Sequence, residues 1–294
     1  MDHIYDVIIL GAGPAGLSAG LYAGRSRLDT LIIEKGQAGG QIINTDEIEN
    51  YPGQIVEGET GVSLVRRMYE QAEQFGAEHV RDTITNAELS GDIKVLTGEK
   101  DTYQAKNIII ATGAYARPIG CKGEQEYKGR GISYCATCDG AFFRNKTVAV
   151  VGGGDVALED ALYLAAGCEK VYLIHRRQEL RGTKVLQEQV ANEPKITFLP
   201  DTVVKEICGE QMVDHLVIAN TGTGEEKELP VSGMFIAVGM NPQTDAVASV
   251  LDLDHGYVRA GEDGVTEQPG LFVAGDVRTK KLRQIVTAVA DGAN

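Results

Sequence analysis

Two stretches of the chain share one pattern of apolar and polar positions. In each, an apolar run leads into a glycine-rich segment, at residues 11–16 in the first copy and 152–157 in the second. A stretch with helical periodicity and a second apolar run follow in both copies. Runs that are apolar at nearly every position are typical of parallel strands covered on both faces. The pattern therefore predicts two βαβ units, with strands at 7–10, 30–34, 147–151 and 170–175.

Two more apolar runs, 107–113 and 270–276, contain glycine near their ends and lie far apart in the chain. If both return to the first sheet, the chain between them is an inserted domain that carries the second βαβ unit. We therefore predict an α/β protein with two Rossmann-like (three-layer ββα/α) dinucleotide-binding domains, the second inserted into the first. The first domain would comprise 1–115 and 241–294, and the second 116–240. The alternating stretches 83–103 and 203–228 predict small antiparallel meanders.

The first glycine segment, GAGPAG, is weak evidence for a nucleotide by itself, because glycine turns are common. Its position between a strand and a helix favours that interpretation, since the backbone can then approach a pyrophosphate at a helix N-terminus. Glu34 ends the second strand, 23 residues after Gly11. A carboxylate there accepts a hydrogen bond from a ribose 2′-hydroxyl and repels a 2′-phosphate. The first copy therefore suits FAD or NAD.

The equivalent position of the second copy holds His175, Arg176 and Arg177, with Arg181 shortly after. Guanidinium groups make forked contacts with phosphate, so this cluster is typical of a site for the 2′-phosphate of NADP. A basic run is more often a solvated face. In a chain with a net charge of −14, its occurrence at the position that distinguishes NAD from NADP favours the binding interpretation.

Only two of the five cysteines are close in sequence, Cys135 and Cys138, and Asp139 follows them. In a Cys-x-x-Cys pair one thiolate can attack a disulfide while the other resolves the product. A structural zinc site would need two more ligands at short spacing, which the other cysteines and the histidines do not offer. We therefore predict a redox dithiol and no metal, with Asp139 placed to move a proton. The remaining cysteines are expected to be small buried hydrophobic residues, namely Cys121, Cys168 and Cys208.

Composition and charge limit the partners that the chain can have. A net charge of −14 and an isoelectric point near 4.8 argue against a nucleic-acid-binding protein. The chain enters its first apolar run almost at once, without the basic and apolar segments of a signal peptide, and no apolar run reaches the ~20 residues that span a bilayer. We expect a cytoplasmic protein that does not bind membranes.

With these residues assembled, the chain resembles the low-molecular-weight thioredoxin reductases, homodimeric FAD enzymes with an inserted NADPH domain. The resemblance covers essentially the whole chain and rests on GAGPAG, ENYPG, ATG, CATCDG, GGGDVALE, HRRQELR and GDVRTKKLRQ. The FAD contacts that it implies are Gly11, Gly13, Pro14, Ala15, Gly16, Glu34, Lys35, Gly40, Gln41, Asn50, Thr112, Gly113, Gly275, Asp276, Arg283 and Gln284. The implied NADPH contacts are Gly152, Gly154, Asp155, Ala157, His175, Arg176, Arg177 and Arg181.

The resemblance also implies a reaction. NADPH reduces FAD, the flavin reduces the Cys135–Cys138 disulfide, and the dithiol reduces thioredoxin. Cys138 would lie against the flavin, Cys135 would attack the partner's disulfide, and Asp139 would act as acid and base. Because the dithiol and the nicotinamide share one domain yet need the same flavin, the resemblance further implies that the inserted domain rotates about hinges near 113–118 and 239–242.

Other functions stay open at this point. A related flavin disulfide reductase serves a different thioredoxin-fold partner, usually through an extra domain for which 294 residues leave no room. Another relative takes electrons from ferredoxin and would lack the arginine cluster. A third possibility is a protein that is not an enzyme, either a nucleotide-binding redox sensor or a zinc-stabilised binding module. A yellow colour that NADPH bleaches would exclude it.

Overall fold

A computed structural model describes residues 3–45, 48–55 and 57–294, and the chain divides into two units. Unit 1 comprises residues 1–115 and 241–294, and unit 2 comprises residues 116–240. The first part of the chain forms β1 (Ile4–Leu10), α1 (Pro14–Arg25), β2 (Thr30–Glu34), α2 (Gly61–Gln74), β3 (Glu78–Arg81), β4 (Ile84–Glu88), β5 (Lys94–Gly98), β6 (Thr102–Ile110) and β7 (Ala114–Ala116).

The middle of the chain forms β8 (Ile132–Ser133), α3 (Ala136–Asp139), β9 (Thr147–Gly152), α4 (Asp155–Gly167), β10 (Lys170–Ile174), α5 (Lys184–Asn192), β11 (Ile196–Leu199), β12 (Thr202–Gly209), β13 (Val213–Asn220), β14 (Glu226–Pro230) and β15 (Gly233–Ala237). The last part forms β16 (Met240–Pro242), β17 (Leu253–Asp254), β18 (Tyr257–Val258), β19 (Leu271–Val273) and α6 (Ile285–Ala293). Short 3-10 helices cover Gly40–Asn44, Gly140–Phe143 and Gly275–Val277.

The sheet of unit 1 has parallel strands at its centre, in the order β3-β2-β1-β6. The edge of β6 opposite β1 pairs with two different strands, because β6 is nine residues long. Its C-terminal half pairs in parallel with β19, and its N-terminal half pairs antiparallel with β5, which pairs with β4. The meander predicted at 83–103 is therefore confirmed, and it is a continuation of the main sheet.

Alternate side chains of β1 enter two different cores, as the two-residue period of a strand requires. Ile8 and Leu10 face a layer that contains Leu89, Leu96 and other residues from the β-strand side. Val7 and Ile9 face the opposite layer, formed largely by α1, α2 and α6. Both faces of the sheet are thus buried, which explains why the strands are apolar at nearly every position.

Unit 2 repeats this plan with a fully parallel sheet in the order β11-β10-β9-β15-β8. Val148 and Val150 of β9 face the helices α4 and α5, whereas Ala149 faces the antiparallel sheet β12-β13-β14. The predicted meander at 203–228 is this sheet. The predicted fold class, α/β with two three-layer domains built on parallel sheets, is confirmed by this topology.

The structure differs from three local predictions. The run 270–276 is a strand only to Val273, because Gly275 adopts a φ of +80° and begins a 3-10 helix. The last helix, expected from about Leu282, begins after Gln284, whose extended backbone forms its N-cap. The expectation that all three remaining cysteines are buried is wrong: Cys168 is buried, but the other two, Cys121 and Cys208, are half-buried at the β-sheet side of unit 2.

Candidate cofactor and redox sites

The first glycine turn lies between β1 and α1 in unit 1. Gly11 has a φ of +107°, and a Cβ placed on it would overlap the carbonyl oxygen of Ala111. A Cβ on Gly16 would overlap the carbonyl oxygen of Gly11. Helix α1 begins at Pro14, and within the described chain its N-cap, Gly13, supplies no side-chain hydrogen bond. Among the described residues, the start of α1 therefore has no side-chain cap, as at the helix start of a phosphate-binding turn.

Glu34 lies at the end of β2, beside this turn. Its Oε2 accepts a hydrogen bond from the backbone N–H of Ala12 at 3.0 Å, and its Oε1 accepts one from Gly36 N–H at 2.9 Å. Each carboxylate oxygen can accept a second hydrogen bond. The backbone thus orients the carboxylate and leaves it able to bind a ribose hydroxyl.

Gln243, which sequence analysis did not single out, connects three predicted site residues. Its side-chain oxygen accepts from Lys35 Nζ at 2.7 Å, and its amide nitrogen donates to the carbonyl of Thr112 at 3.0 Å. Its backbone carbonyl accepts from Thr112 Oγ1 at 2.5 Å, and its backbone N–H donates to the Gly113 carbonyl at 2.9 Å. No local signal identifies this residue, because Lys35 lies 208 positions away in sequence.

Four further predicted residues make three contacts within unit 1. Gly40 has a φ of +60° and approaches the first glycine turn, since a Cβ on it would lie 3.5 Å from a Cα of that turn. The Gln41 amide donates a hydrogen bond to the carbonyl of Ala114. Asn50 Nδ2 donates to Gln284 Oε1 at 3.2 Å. The structure thus brings Gly40 to the turn and joins Asn50 to Gln284.

Asp276 lies in the short 3-10 helix after β19. A Cβ on Gly275 would lie 2.8 Å from the Cβ of Ala15, so this segment touches the start of α1. Among the residues that the structure describes, Asp276 Oδ1 is buried and has no hydrogen-bond partner. Burial raises the pKa of the Asp276 carboxyl group, and the nearby Lys280 and Arg283 oppose that shift. Buried acceptors are normally satisfied, so this oxygen marks a position for a ligand's donor.

Two further side chains, Arg283 and Asp291, make contacts near Asp276. The Arg283 guanidinium stacks on Tyr257, 4.2 Å from the ring centroid, and its Nε is buried without a partner in the described residues. The Asp291 carboxylate of α6 accepts from Gly275 N–H at 2.8 Å and from Arg278 Nε and Nη2 at 2.8 and 2.6 Å. The Asp291 and Arg278 side chains are each 7% exposed. The backbone that carries Asp276 is therefore anchored to α6.

The second glycine turn lies between β9 and α4 in unit 2. A Cβ on Gly152 would lie 2.5 Å from the Cβ of Ala157, so the turn and the helix touch directly. Gly154 is the N-cap of α4 and, for the residues described here, provides no side-chain hydrogen bond. Asp155 Oδ1 accepts from the backbone N–H of Thr183 at 2.6 Å. The turn is thus fixed to the loop that follows β10.

His175 lies directly after β10 and packs its ring on Gly153, on which a Cβ would lie within 2.7 Å of three ring atoms. The ring is buried, and its Nε2 has no hydrogen-bond partner within the described ranges. Burial lowers the pKa of His175, and the neighbouring Arg181, Arg176 and Arg177 lower it further. The three arginines are exposed, and none forms an ion pair within residues 3–45, 48–55 and 57–294. They form a cationic cluster beside the second turn.

Cys135 and Cys138 form a disulfide, with 5.3 Å between their Cα atoms. Cys135 is the N-cap of α3, and its carbonyl accepts from the N–H groups of Cys138 and Asp139 at 3.3 and 3.1 Å. Ser133 joins this turn to the strand before it: its Oγ donates to Asp139 Oδ2 at 2.5 Å and accepts from Cys135 N–H at 3.0 Å. Ser133 is not among the site residues predicted above, although a polar residue at the end of a strand beside a Cys-x-x-Cys pair is a usable signal.

Neither a metal site nor a membrane span is found in the described part of the chain. There, no three or more His, Cys, Asp or Glu side chains are grouped so that they could hold a metal ion. None of the helices described is both long enough and apolar enough to cross a membrane.

The chain is similar to known proteins over its whole length. The family model described as pyridine nucleotide-disulphide oxidoreductase matches residues 5–292. A protein of Peptoclostridium acidaminophilum named thioredoxin reductase is 47% identical over 300 residues, which cover 100% of this chain and 95% of that protein. One of Listeria innocua with the same name is 47% identical over 99% of this chain and 91% of its own length. The crystal structure of thioredoxin reductase from Streptococcus pyogenes matches with a TM-score of 0.94 and 46% identity, over 100% of this chain and 96% of that one.

Proposed function

The chain belongs to the pyridine nucleotide-disulphide oxidoreductase family and to its thioredoxin reductases, and we propose that it carries electrons from NADPH through FAD to the Cys135–Cys138 disulfide and on to thioredoxin. The observation that carries the proposal is that disulfide, held beside an acidic residue in a chain whose full-length relatives are thioredoxin reductases. The arginine cluster supports NADPH over ferredoxin as the electron source.

Unit 1 suits FAD, which when bound accepts a hydride from a reduced nicotinamide and delivers two electrons to a disulfide. The glycine turn at 11–16 and the start of α1 would hold the pyrophosphate, and Glu34 would accept from a ribose hydroxyl. The buried, unpartnered Oδ1 of Asp276 would accept from a hydroxyl of the cofactor. Asn50 and Gln284 hold each other at the start of α6 and would complete the site.

Unit 2 suits NADPH. The turn at 152–157 and the start of α4 would face the pyrophosphate, as in unit 1. Arg176, Arg177 and Arg181 would hold the 2′-phosphate, because forked guanidinium contacts match its oxygens and no carboxylate in the described residues competes for them. His175 is held neutral by burial, so it would contribute shape and a ring nitrogen rather than charge.

The dithiol would act on thioredoxin by thiol–disulfide exchange. The Cys135 thiolate attacks one sulfur of the partner's disulfide, which forms a mixed disulfide and releases the other sulfur as a thiolate that takes up a proton. The Cys138 thiolate then attacks Cys135, which restores the Cys135–Cys138 disulfide and releases the partner as a dithiol. Asp139, the last residue of α3 and hydrogen-bonded to Ser133, would donate and accept the protons.

We also propose that the enzyme is a cytoplasmic homodimer, as the resemblance to its family suggests. Light scattering on the eluted peak of a sizing column should give twice the chain mass of 31.5 kDa. A monomeric mass at working concentration, with full activity, would remove the dimer from the proposal.

The whole scheme is tested by anaerobic titration of the purified yellow protein with NADPH and, separately, NADH. NADPH should bleach the flavin absorbance, and oxidised thioredoxin should restore it with one dithiol formed per NADPH. Cys135→Ser should still bleach but should fail to restore the colour on addition of thioredoxin. A protein that is colourless after reconstitution with FAD, or one that thioredoxin does not reoxidise, would overturn the proposal.

The assignment of the cofactor phosphate is tested by Arg176→Ala and Arg177→Ala. Each should weaken NADPH binding by about 10- to 100-fold, because a charge-assisted hydrogen bond is worth roughly 1.5–3 kcal/mol. NADH binding should change little, since NADH has no 2′-phosphate. Lys205→Ala removes the same charge from an exposed position of unit 2 and should leave both affinities unchanged. Equal losses for NADPH and NADH would place the arginines outside the phosphate site.

A further inference from the structure

Ser133 is a buried polar residue at the edge of the redox turn. It ends β8, which pairs in parallel with β15 through Phe235, so its backbone is fixed by the central sheet of unit 2. Its side chain is almost inaccessible, with 5% of the residue exposed. A buried hydroxyl is tolerated only when its hydrogen bonds are made, and here both partners belong to the redox turn.

The Ser133 hydroxyl can donate one hydrogen bond and accept two. Its single proton has two acceptors nearby, Asp139 Oδ2 at 2.5 Å and the Cys135 carbonyl at 3.3 Å. The carboxylate is nearer and is the stronger acceptor when charged, so the proton lies toward Asp139. A lone pair of the same oxygen accepts from Cys135 N–H at 3.0 Å. One oxygen therefore joins the backbone of Cys135 to the carboxylate of Asp139.

We propose that Ser133 is a positioning residue for the thiol–disulfide exchange, which keeps the Asp139 carboxylate beside Cys135 when the disulfide is open. This inference rests on the role of Asp139 proposed above. In the oxidised protein the Cys135–Cys138 bond ties the start of the turn to its end. Reduction breaks that bond and adds two electrons and two protons, so the covalent link is lost at the stage when the dithiol must react.

The link through Ser133 spans the same turn and is not broken by reduction. It runs from the backbone of Cys135 through the hydroxyl to the Asp139 side chain, so the segment between its two ends carries both cysteines. When Cys135 attacks the partner, the leaving thiolate needs a proton, and when Cys138 attacks Cys135 its own proton must be removed. Asp139 serves both steps only while its carboxylate stays next to the sulfurs, and Ser133 supplies that restraint.

The test is a double-mutant cycle in the FAD-loaded enzyme, with Ser133→Ala, Asp139→Asn and the double variant. We expect Ser133→Ala to lower kcat for thioredoxin about tenfold, the cost of one hydrogen bond to a charged group, with KM for thioredoxin unchanged. In the Asp139→Asn background the same substitution should have almost no further effect, because the amide that Ser133 would then position cannot exchange the proton. Ser232→Ala, a serine just before β15, is the matched control and should keep the wild-type kcat.

Each other outcome overturns a defined part of the inference. If Ser133→Ala lowers kcat by the same factor in both backgrounds, or raises KM with kcat unchanged, Ser133 does not act through Asp139. If Asp139→Asn is inactive but Ser133→Ala has the wild-type kcat, only the positioning role fails. If Asp139→Asn is fully active, the acid and base assignment itself fails, and the role of Ser133 with it. The thermal unfolding of every variant shows whether a loss of kcat comes from misfolding. If Ser133→Ala is misfolded, Ser133→Thr, which keeps the hydroxyl, takes its place. Ser133→Thr must then have close to the wild-type kcat, or the inference is rejected.

Discussion

Gly153 occupies a position of the second glycine turn where many nucleotide-binding turns tolerate a side chain, and the structure explains why this chain has none. The His175 ring fills the space in which a Cβ would stand, within 2.7 Å of three of its atoms. Neither partner can move freely. The Gly153 carbonyl accepts from the N–H groups of Arg181 and Gly182 at 2.6 and 3.1 Å, and the backbone of His175 is hydrogen-bonded to Leu199 at 3.0 Å.

We therefore expect Gly153→Ala to push the His175 ring out of its buried position. The φ of Gly153 is not in the left-handed region, so the cost of the substitution is a steric overlap and not a backbone penalty. Overpacking of this kind costs about 1–3 kcal/mol, which for a unit of this size lowers Tm by about 3–10 °C. Displacing His175 also disturbs Arg176 and Arg177, so NADPH affinity should fall about tenfold, the loss of roughly one charge-assisted hydrogen bond.

Calorimetry without cofactor and fluorescence titration with NADPH measure the two effects. Gly167→Ala is the matched control: its Cβ would meet no atom within 4 Å, and it lies at the end of α4, where alanine is the better helix former. In a His175→Ala background the penalty of Gly153→Ala should disappear. A Gly153→Ala protein as stable as the wild type, or one equally destabilised with and without the His175 ring, would refute the reasoning.

Two further substitutions test partly buried carboxyl groups. Burial, with a smaller contribution from Glu159, raises the pKa of Asp160 to about 6 from 3.8; stability is then lost as pH rises between these values, so Asp160→Asn should stabilise by about 1–3 kcal/mol at pH 8 and by less at pH 5. An equal gain at both pH values, or the same gain from exposed Glu159→Gln, would contradict this. Asp276→Asn should weaken FAD binding about tenfold or more without lowering the Tm of the apoprotein. Wild-type FAD content after dialysis would show that Asp276 makes no contact with the cofactor.

Local signals were sufficient for the strands and the two glycine turns. The apolar runs at 7–10 and 30–34 are β-strands because both faces of their sheet are buried, and this burial is itself visible as an unbroken apolar sequence. The length of β6 was less predictable. One half of this strand pairs with β19 and the other half with β5, and the sequence of β6 itself does not indicate these two partners. The start of α6 differs from the prediction for a local reason, because the capping box of Gln284 and Thr287, and not apolar periodicity alone, decides where the helix begins.

The residues that hold the candidate sites in place were not predictable in the same way. Gln243 contacts Thr112 across 131 positions of sequence, and Asp291 anchors Gly275 from the last helix. Such contacts require the tertiary structure, and the residue types involved are common on any surface. Ser133 is only six residues from Asp139, but their hydrogen bond depends on how the chain turns between β8 and α3, which apolar periodicity does not indicate.

Each glycine turn is held by a side chain at the end of the second strand or directly after it, a carboxylate in unit 1 and an imidazole ring in unit 2. This explains why the middle residue of the turn is Ala12 in one and Gly153 in the other. In unit 1 the residue at the end of the second strand, Glu34, holds the turn by accepting a hydrogen bond from the N–H of Ala12, so the middle position can keep a methyl group. In unit 2 the equivalent residue, His175, holds the turn by packing its ring on Gly153, so the middle position must lose it. A carboxylate at this point favours a ribose hydroxyl, whereas a buried imidazole beside arginines favours a phosphate. The middle residues of GAG and GGG therefore follow from the side chain that meets each turn, the Glu34 carboxylate in unit 1 and the His175 ring in unit 2. This difference agrees with the proposal of FAD for unit 1 and NADPH for unit 2.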